Sequence, residues 1–207
     1  MVMNESADTG PIRSRPPAGH VTEIAPDLAG AHVGLGIALA NLGRPVEAID
    51  SFKRAVALQP GLEAAHLNLG VAYLQLNDIA SAREAFRNAI KANPADARAH
   101  LQLGVTSQKV GDTLEAIRAF AEAIRLSPDF VPAHVGLGVA YAGVGQYMKA
   151  VASLTRAVHL DPANFDAHLA LGQTFGNLER WTDAVPHLER AVAIQPASAV
   201  AHDEDLE

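Results

Sequence analysis

Apolar side chains recur at helical spacing in two stretches of a unit that is repeated along the chain. In residues 63–76 the apolar positions surround Gly70, and in residues 79–92 they fall three and four positions apart, on one helix face. Between the two stretches lie Asn77, which can end a helix with a positive φ, and Asp78, which can cap the next helix. The pattern therefore predicts a pair of antiparallel helices.

The unit has a period of 34 residues, and several residue classes share it. Proline, which closes the second helix of a unit because it cannot extend it, falls at Pro26, Pro60, Pro94, Pro128, Pro162 and Pro196. The histidines with the same step are His32, His66, His100, His134, His168 and His202. The glycines are Gly36, Gly70, Gly104, Gly138 and Gly172. Such a period indicates stacked helical repeats, because one helix pair cannot bury its apolar face alone.

Five units fit between two incomplete ends. The predicted repeats are residues 29–62, 63–96, 97–130, 131–164 and 165–198. Residues 1–19 are expected to form a flexible tail, residues 20–28 to be the remnant of a preceding repeat, and residues 199–207 to form a partial acidic cap. The predicted fold is all-α, an α–α superhelix (solenoid) of five helix–turn–helix repeats with ten main helices.

The recurrent small residues have a mechanical explanation. Gly70 and its equivalents are expected where the two helices of a unit cross, because a side chain there would push them apart. Ala82 and Ala89, which recur with the same step, are expected to let neighbouring units approach closely.

The order of these residues resembles the tetratricopeptide repeat. In the second unit the resemblance is carried by His66, Leu69, Gly70, Tyr73, Ala82, Phe86, Ala89 and Pro94. It covers residues 29–198, and the array is similar to bacterial-type arrays in scaffold proteins and to the region that precedes O-GlcNAc transferase domains. Ser107 replaces an aromatic residue in the third unit, and Leu154 and Leu188 replace phenylalanine. Pro186 lies inside the last predicted helix, where it should cost one hydrogen bond.

The resemblance implies that the first helices form a concave groove that holds a segment of a partner protein. The residues at the matching inner positions are mostly apolar, with polar neighbours. The predicted peptide-binding residues are Val33, Ile37, Leu67, Asn68, Val71, Gln75, Arg98, Leu101, Gln102, Val105, Gln108, Lys109, Val135 and Val139.

The composition of this groove disfavours two binding modes of the family. Members that hold a C-terminal carboxylate use Lys, Asn and Arg, whereas the matching positions here are mostly Val and Leu. Members that grip peptide backbones use a ladder of asparagines, and only Asn68 and Gln102 could serve here. The groove therefore suits an amphipathic helix or an apolar peptide with anchors at helical spacing.

Charge and composition argue against other classes of partner. The net charge is −7, but the acidic excess lies at the two ends, so residues 29–198 are nearly neutral and show no basic patch for nucleic acid. The longest uncharged stretch, residues 131–145, is too short to span a bilayer, and the N-terminus lacks the order of a signal peptide. We expect a cytoplasmic protein with a protein or peptide ligand, no nucleic-acid binding and no membrane insertion.

No catalytic residue, cofactor site or metal site is predicted. Histidines on stacked units are expected roughly 10 Å apart and parallel, whereas zinc requires nitrogens at about 2.1 Å, so they are expected to fill the joint with the preceding unit. Gly34-x-Gly36 and Gly136-x-Gly138 lie inside predicted helices with no strand before them, which argues against a nucleotide loop.

Three functions stay open at this point. The chain is a free-standing adaptor or scaffold, the recognition domain of a larger enzyme such as a transferase, or a self-assembling scaffold, as in magnetosome-associated members of the family. For the third, the apolar face of residues 181–194 is expected to be poorly covered, because only residues 199–202 keep the repeat pattern before the acidic residues begin. A weak homo-oligomer through this end is therefore expected.

Overall fold

The computed structural model describes residues 19–195, with side chains from residue 28 onward. Ten α-helices follow one another in this part of the chain, which contains no strand. They are α1 (Gly19–Asn41), α2 (Pro45–Leu58), α3 (Glu63–Gln75), α4 (Ile79–Ala92), α5 (Ala97–Lys109), α6 (Thr113–Leu126), α7 (Val131–Gly143), α8 (Tyr147–Leu160), α9 (Phe165–Asn177) and α10 (Trp181–Ile194). The prediction of an all-α array is confirmed, and Pro186 does lie inside α10.

The helices contact only their near neighbours in the chain. Each odd-numbered helix packs against the even-numbered helix that follows it, which forms five pairs. The second helices α2, α4, α6 and α8 also pack against the first helix of the next pair, and first helices touch one another from pair to pair. This is the contact pattern of a solenoid, in which each repeat buries its apolar face against the next.

Helix α1 is longer than the sequence predicts. It continues without a break from Gly19 through Pro26 to Asn41, so residues 20–28, expected as the end of a preceding helix, belong to α1. An interior proline removes one backbone hydrogen bond and normally kinks or ends a helix, but α1 continues through Pro26. Neither α1 nor any other helix within residues 19–195 is long and apolar enough to cross a membrane. Residues 1–18 of the expected tail and all of the expected acidic cap lie outside the described residues.

The turns inside the repeats confirm the predicted helix ends. Positive φ angles between 58° and 79° occur at Gly43, Asn77, Gly111 and Gly145. The residue after each of these donates its backbone N–H across the end of the helix, as Arg44 does to the Leu39 carbonyl oxygen at 2.9 Å. This is a Schellman motif, which satisfies carbonyl groups that the helix leaves unpaired. Glu179 adopts the same conformation, with φ 57°, although its side chain does not favour it.

The predicted caps of two second helices are also present. The Oδ1 atom of Asp78 accepts a hydrogen bond from the Ser81 N–H at 3.1 Å, and that of Asp112 accepts one from the Glu115 N–H at 3.2 Å. Each bond satisfies one of the amides that a helix leaves free at its N-terminus.

Glycine-to-ring contacts hold the two helices of a repeat together. A Cβ atom built on Gly70 would lie 2.5 Å from Cε1 of Phe86, too close for any real contact. The first and third repeats show the same arrangement, with Phe52 against Gly36 and Phe120 against Gly104. In the fourth and fifth repeats, Leu154 and Leu188 take the place of the ring against Gly138 and Gly172. The expectation that glycine marks the helix crossing is confirmed.

A cluster of charges joins the second and third repeats, and it accounts for Ser107. The Ser107 hydroxyl is buried and donates to Oε2 of Glu115 at 2.5 Å. Arg83 and Arg87 of α4 donate to the same carboxylate at 2.6 and 2.7 Å. Burial opposes ionisation of Glu115, but the hydrogen bonds from Ser107, Arg87 and Arg83 outweigh it and lower its pKa to about 2. A polar cluster thus replaces the aromatic packing of other repeats.

Candidate functional site

The predicted groove residues lie on the first helices, in two columns that the repeat period brings into line. The inner column is Val33, Leu67, Leu101, Val135 and Leu169, and the outer column, four residues further along each helix, is Ile37, Val71, Val105, Val139 and Gln173. We call the surface that carries both columns the groove face. The two columns differ in how far the neighbouring helices cover them.

The inner column belongs largely to the core. Val33 is buried, and Leu67, Leu101 and Val135 pack against buried clusters formed by successive repeats. Val105 of the outer column also packs against such a cluster, beside Phe120. These side chains mainly support the groove face, so a polar substitution there would act on stability as well as on binding.

The outer column supplies the exposed apolar surface. Ile37, Val71 and Val139 are 41%, 38% and 37% exposed. All three stand at the same repeat position of a first helix, so their exposed side chains present apolar surface at repeat spacing along one side of the array.

The predicted polar residues of the groove face divide into engaged and free groups. The Asn68 side chain donates to the Ala64 carbonyl oxygen of its own helix at 2.8 Å. Gln75 and Lys109 are exposed, and Gln102 and Gln108 are half-buried. Among the described residues the side chains of these last four make no hydrogen bond to another residue, so they are available to a ligand.

Arg98 is held by two carboxylates at the start of α5. Its Nη2 atom lies 2.9 Å from Oδ2 of Asp96 and 3.8 Å from Oε1 of Glu63. Burial opposes ionisation of Asp96, but hydrogen bonds with Arg98 and Glu63 outweigh it and lower the pKa of Asp96 to about 2. The hydrogen bond with Asp96 raises the pKa of Glu63, because two neighbouring ionised carboxylates would repel each other. Arg98 therefore contributes mainly to the contact between the second and third repeats.

A cavity of about 320 Å³ opens on the groove face between α5, α7 and α9. Its lining residues are Gln108, Pro132, Val135, Gly136, Val139, Asn164 and Asp166. Three of them were predicted from the sequence, and the structure adds the carboxylate of Asp166. Asp166 occupies the repeat position of Arg98, so extending the predicted inner positions to the fifth repeat would have found it.

The histidines occupy the joints between repeats, as predicted. His66, His100, His134 and His168 are buried. The Nε2 atom of each lies 2.8–3.3 Å from the carbonyl oxygen of the proline that ends the preceding repeat. Because a carbonyl oxygen only accepts, the ring N–H is the donor, and the bond ties one repeat to the next.

One further histidine joins this series. Nδ1 of His187 lies 3.1 Å from Nδ1 of His168, whose Nε2 donates to Pro162, so His187 is the donor of the pair. Burial, and then the neighbouring His168, lower the pKa of His187. Within the described part of the chain, no group of three or more His, Cys, Asp or Glu side chains could hold a metal ion.

A second exposed apolar surface was not predicted. It follows the turns between the two helices of each repeat, and we call it the turn edge. Its exposed members include Leu42, Val46, Leu114 and Met148, with Leu114 69% exposed. Val46, Leu114 and Met148 share one repeat position at the start of the second helices, and Leu42 lies in the turn before α2. The 34-residue period marks these positions, but it does not show that they are exposed.

Comparison with known proteins agrees with the repeat structure. Models of the tetratricopeptide repeat match residues 39–104, 97–130 and 138–199. No protein with a curated description matches the sequence.

Solved structures share the fold at low sequence identity. MamA from Desulfovibrio magneticus RS-1 is 22% identical with a TM-score of 0.76, over 83% of this chain and 97% of that chain. YrrB, a tetratricopeptide protein with an unusual peptide-binding site, is 21% identical with a TM-score of 0.73, over 91% of this chain and 97% of that chain. With five helix pairs, glycine at each crossing and three matching repeat models, this chain belongs to the tetratricopeptide repeat family.

Proposed function

We propose that this chain is a scaffold that binds an amphipathic helix or apolar peptide of a partner protein across its groove face. The observation that carries the proposal is the outer column, in which Ile37, Val71 and Val139 are each more than a third exposed. Apolar contacts at regular spacing suit a segment whose anchors recur along one side. The cavity beside Val139 gives one such anchor a place to insert.

Family membership supports interaction rather than catalysis. Tetratricopeptide proteins are generally interaction modules without catalytic activity, and YrrB is a relative in fold with a peptide-binding site. We infer that this chain also binds a partner without catalysis, with the helices forming a rigid support for the binding surface.

The test compares three apolar-to-charged substitutions at exposed sites. Val71→Asp and Val139→Asp place a charge on the groove face, and Leu114→Asp places one on the turn edge as a matched control. All three residues are exposed, so the variants should keep the helical circular dichroism of the wild type. Val105 is unsuitable because it packs against the core.

Partners retained by the immobilised wild-type protein from a cell extract are identified by quantitative mass spectrometry, and the affinity of the purified partner is then measured. Each groove variant should bind about tenfold or more weakly, because a buried unpaired charge costs more than 1 kcal/mol. The Leu114→Asp variant should bind like the wild type. Binding lost in Leu114→Asp but kept in both groove variants would move the site to the turn edge.

Self-assembly is a second candidate, supported by the last helix. Val185 and Val192 of α10 are 50% and 54% exposed. The equivalent of Val185 in the first repeat, Ile49, is buried because α3 covers that face of α2. The described residues include no helix that covers α10 in this way, so a second copy could do so.

A further inference from the structure

We infer that the groove face selects partner segments that carry opposite charges on the two sides of an apolar anchor. An acidic group would face Lys109 and a basic group would face Asp166, with the apolar side chain in the cavity between them. This inference rests on the proposed function and adds the charge pattern and direction of the bound segment.

The apolar part of the site is formed by α7. Val135 and Val139 line the cavity together with Gly136, which has no side chain to fill it. A Cβ atom on Gly136 would lie 2.6 Å from Cε1 of Phe120, so this position admits only glycine without movement of the ring. The volume of about 320 Å³ is sufficient for one large apolar side chain and part of its backbone.

The charged part consists of two groups, one on each of the first helices that pack against α7. Asp166 lines the cavity from the first turn of α9, and Lys109 follows the lining residue Gln108 at the end of α5. Neither side chain forms an ion pair with any residue in the described range, whereas Arg98 is paired with Asp96. The other residues that line the cavity are uncharged, although Asp161 accepts a hydrogen bond from the lining residue Asn164 at 3.2 Å.

Local helix stabilisation leaves both groups free to bind. An acid in a first turn and a base in a last turn each gain about 0.3–1 kcal/mol from the helix dipole. Neither charge is used as a cap, since Oδ1 of Asn164 accepts from the Ala167 N–H at 2.9 Å and α5 ends in a Schellman turn at Gly111. Both charges stay in water, where a ligand can reach them.

The order of the three features fixes a direction. A segment that crosses from α5 over α7 to α9 meets a cation, an apolar floor and an anion in turn. Complementary charges favour one orientation of the segment, while the reversed orientation would place like charges together. The groove face should therefore distinguish a sequence from its reverse.

A random peptide library displayed on phage tests this inference without knowledge of the natural partner. The library is selected on wild-type protein, Asp166→Lys, Lys109→Glu and Val139→Asp. An exposed aspartate on a second helix, changed as Asp50→Lys, is the control for net charge. Peptides from the wild type should carry an apolar residue with acidic residues on one side and basic residues on the other.

The charge variants should change that preference in a defined way. Peptides selected on Asp166→Lys should carry acidic residues where the wild-type peptides carry basic ones. Peptides selected on Lys109→Glu should carry basic residues where the wild-type peptides carry acidic ones. Asp50→Lys should leave the preference unchanged. The wild-type peptide should bind Asp166→Lys about fivefold more weakly, and reversing its basic residue should restore the affinity.

Two negative results have different meanings. Peptides that need Val139 but show the same charge pattern on every charge variant would overturn the inference and leave the proposed groove intact. Selection that gives no peptide dependent on Val139 would overturn the groove itself, and the charge inference with it.

Discussion

The glycines at the helix crossings determine how closely the two helices of a repeat can pack. Gly70 faces the buried ring of Phe86, whereas Gly34 of α1 is exposed and has nothing within 4 Å of its Cβ position. Glycine thus permits close packing at position 70 but has no packing role at position 34, and only the neighbouring side chains distinguish the two sites. Both sites lie inside helices, so the intrinsic preference of a helix for alanine is similar at each.

The pair provides a matched test of stability. Gly70→Ala should lower the free energy of unfolding by about 1–3 kcal/mol, because the ring must move from a packed position. Gly34→Ala should raise it by about 0.5–1 kcal/mol, because alanine favours the helix and meets no neighbour. Urea denaturation followed by circular dichroism measures both, and equal effects of the two substitutions would contradict the packing role.

The histidines between repeats should contribute to stability rather than to metal binding. His100→Ala should cost roughly 1–3 kcal/mol, because it removes a buried ring and leaves the Pro94 carbonyl oxygen without its donor. His159, which is exposed, provides the control, and His159→Ala should change the free energy of unfolding little. Addition of zinc should leave the melting temperature of the wild type unchanged. Stoichiometric zinc binding that is lost in His100→Ala would overturn this account.

Individual residues at the ends of the first helices could be predicted where the residue type itself favours a positive φ. Asn77 was expected to adopt a positive φ, and it does. Glu179 has the same φ, but its residue type gives no signal, because the surrounding helices impose the turn at a cost of about 1 kcal/mol.

Among the elements, α4 and α6 are joined by a polar cluster instead of by apolar packing. Arg83 stands where other repeats carry Ile or Val, and Ser107 stands where they carry Leu, Tyr or Phe. The sequence shows each departure separately. Arg83 and Ser107 both donate to the carboxylate of Glu115, which explains the two departures together. This shared contact depends on how α4 and α6 approach each other, so only the structure shows it.

This cluster should make stability depend on pH in the acid range. The pKa of Glu115 is about 2 in the folded protein, below its ordinary value near 4.5, so its ionised form stabilises the fold above pH 4.5. That contribution, about 3 kcal/mol, is lost as the pH falls toward 2. The difference in unfolding free energy between wild type and Glu115→Gln should therefore be constant above pH 5 and shrink between pH 4.5 and 2.

Urea denaturation at a series of pH values measures this difference. Asp96, whose pKa is also about 2, is present in both proteins, so its contribution cancels. A difference that does not change between pH 5 and 2.5 would show that the ionised carboxylate contributes no stability.

For the whole molecule, the exposed face of α10 predicts weak self-association. The part of the expectation that concerns residues 199–207 lies outside the described residues, but Trp181, Val185 and Val192 are all at least half exposed. Light scattering across a wide concentration range should show a monomer–dimer equilibrium. Val185→Glu together with Val192→Glu should shift it to monomer, since burying two charges opposes association. A monomeric mass at every concentration would contradict this expectation.

The groove face was predicted only in part. A spacing of four residues places both columns on one side of each first helix. The sequence could not show that the inner column is largely covered while Ile37, Val71 and Val139 are exposed. Coverage depends on the angle and distance between neighbouring first helices, which no single repeat encodes.

Site-specific photocross-linking to a purified partner tests the central claim most directly. A photoreactive amino acid is introduced singly at Ile37, Val71 and Val139 on the groove face, and at Leu114 and Met148 on the turn edge. All five positions are exposed, so each protein should fold and each probe should be equally able to react. We predict cross-links to the partner from the three groove positions and none from the turn edge. Cross-links from Leu114 and Met148, with none from the groove positions, would contradict the proposal that the first helices bind the partner.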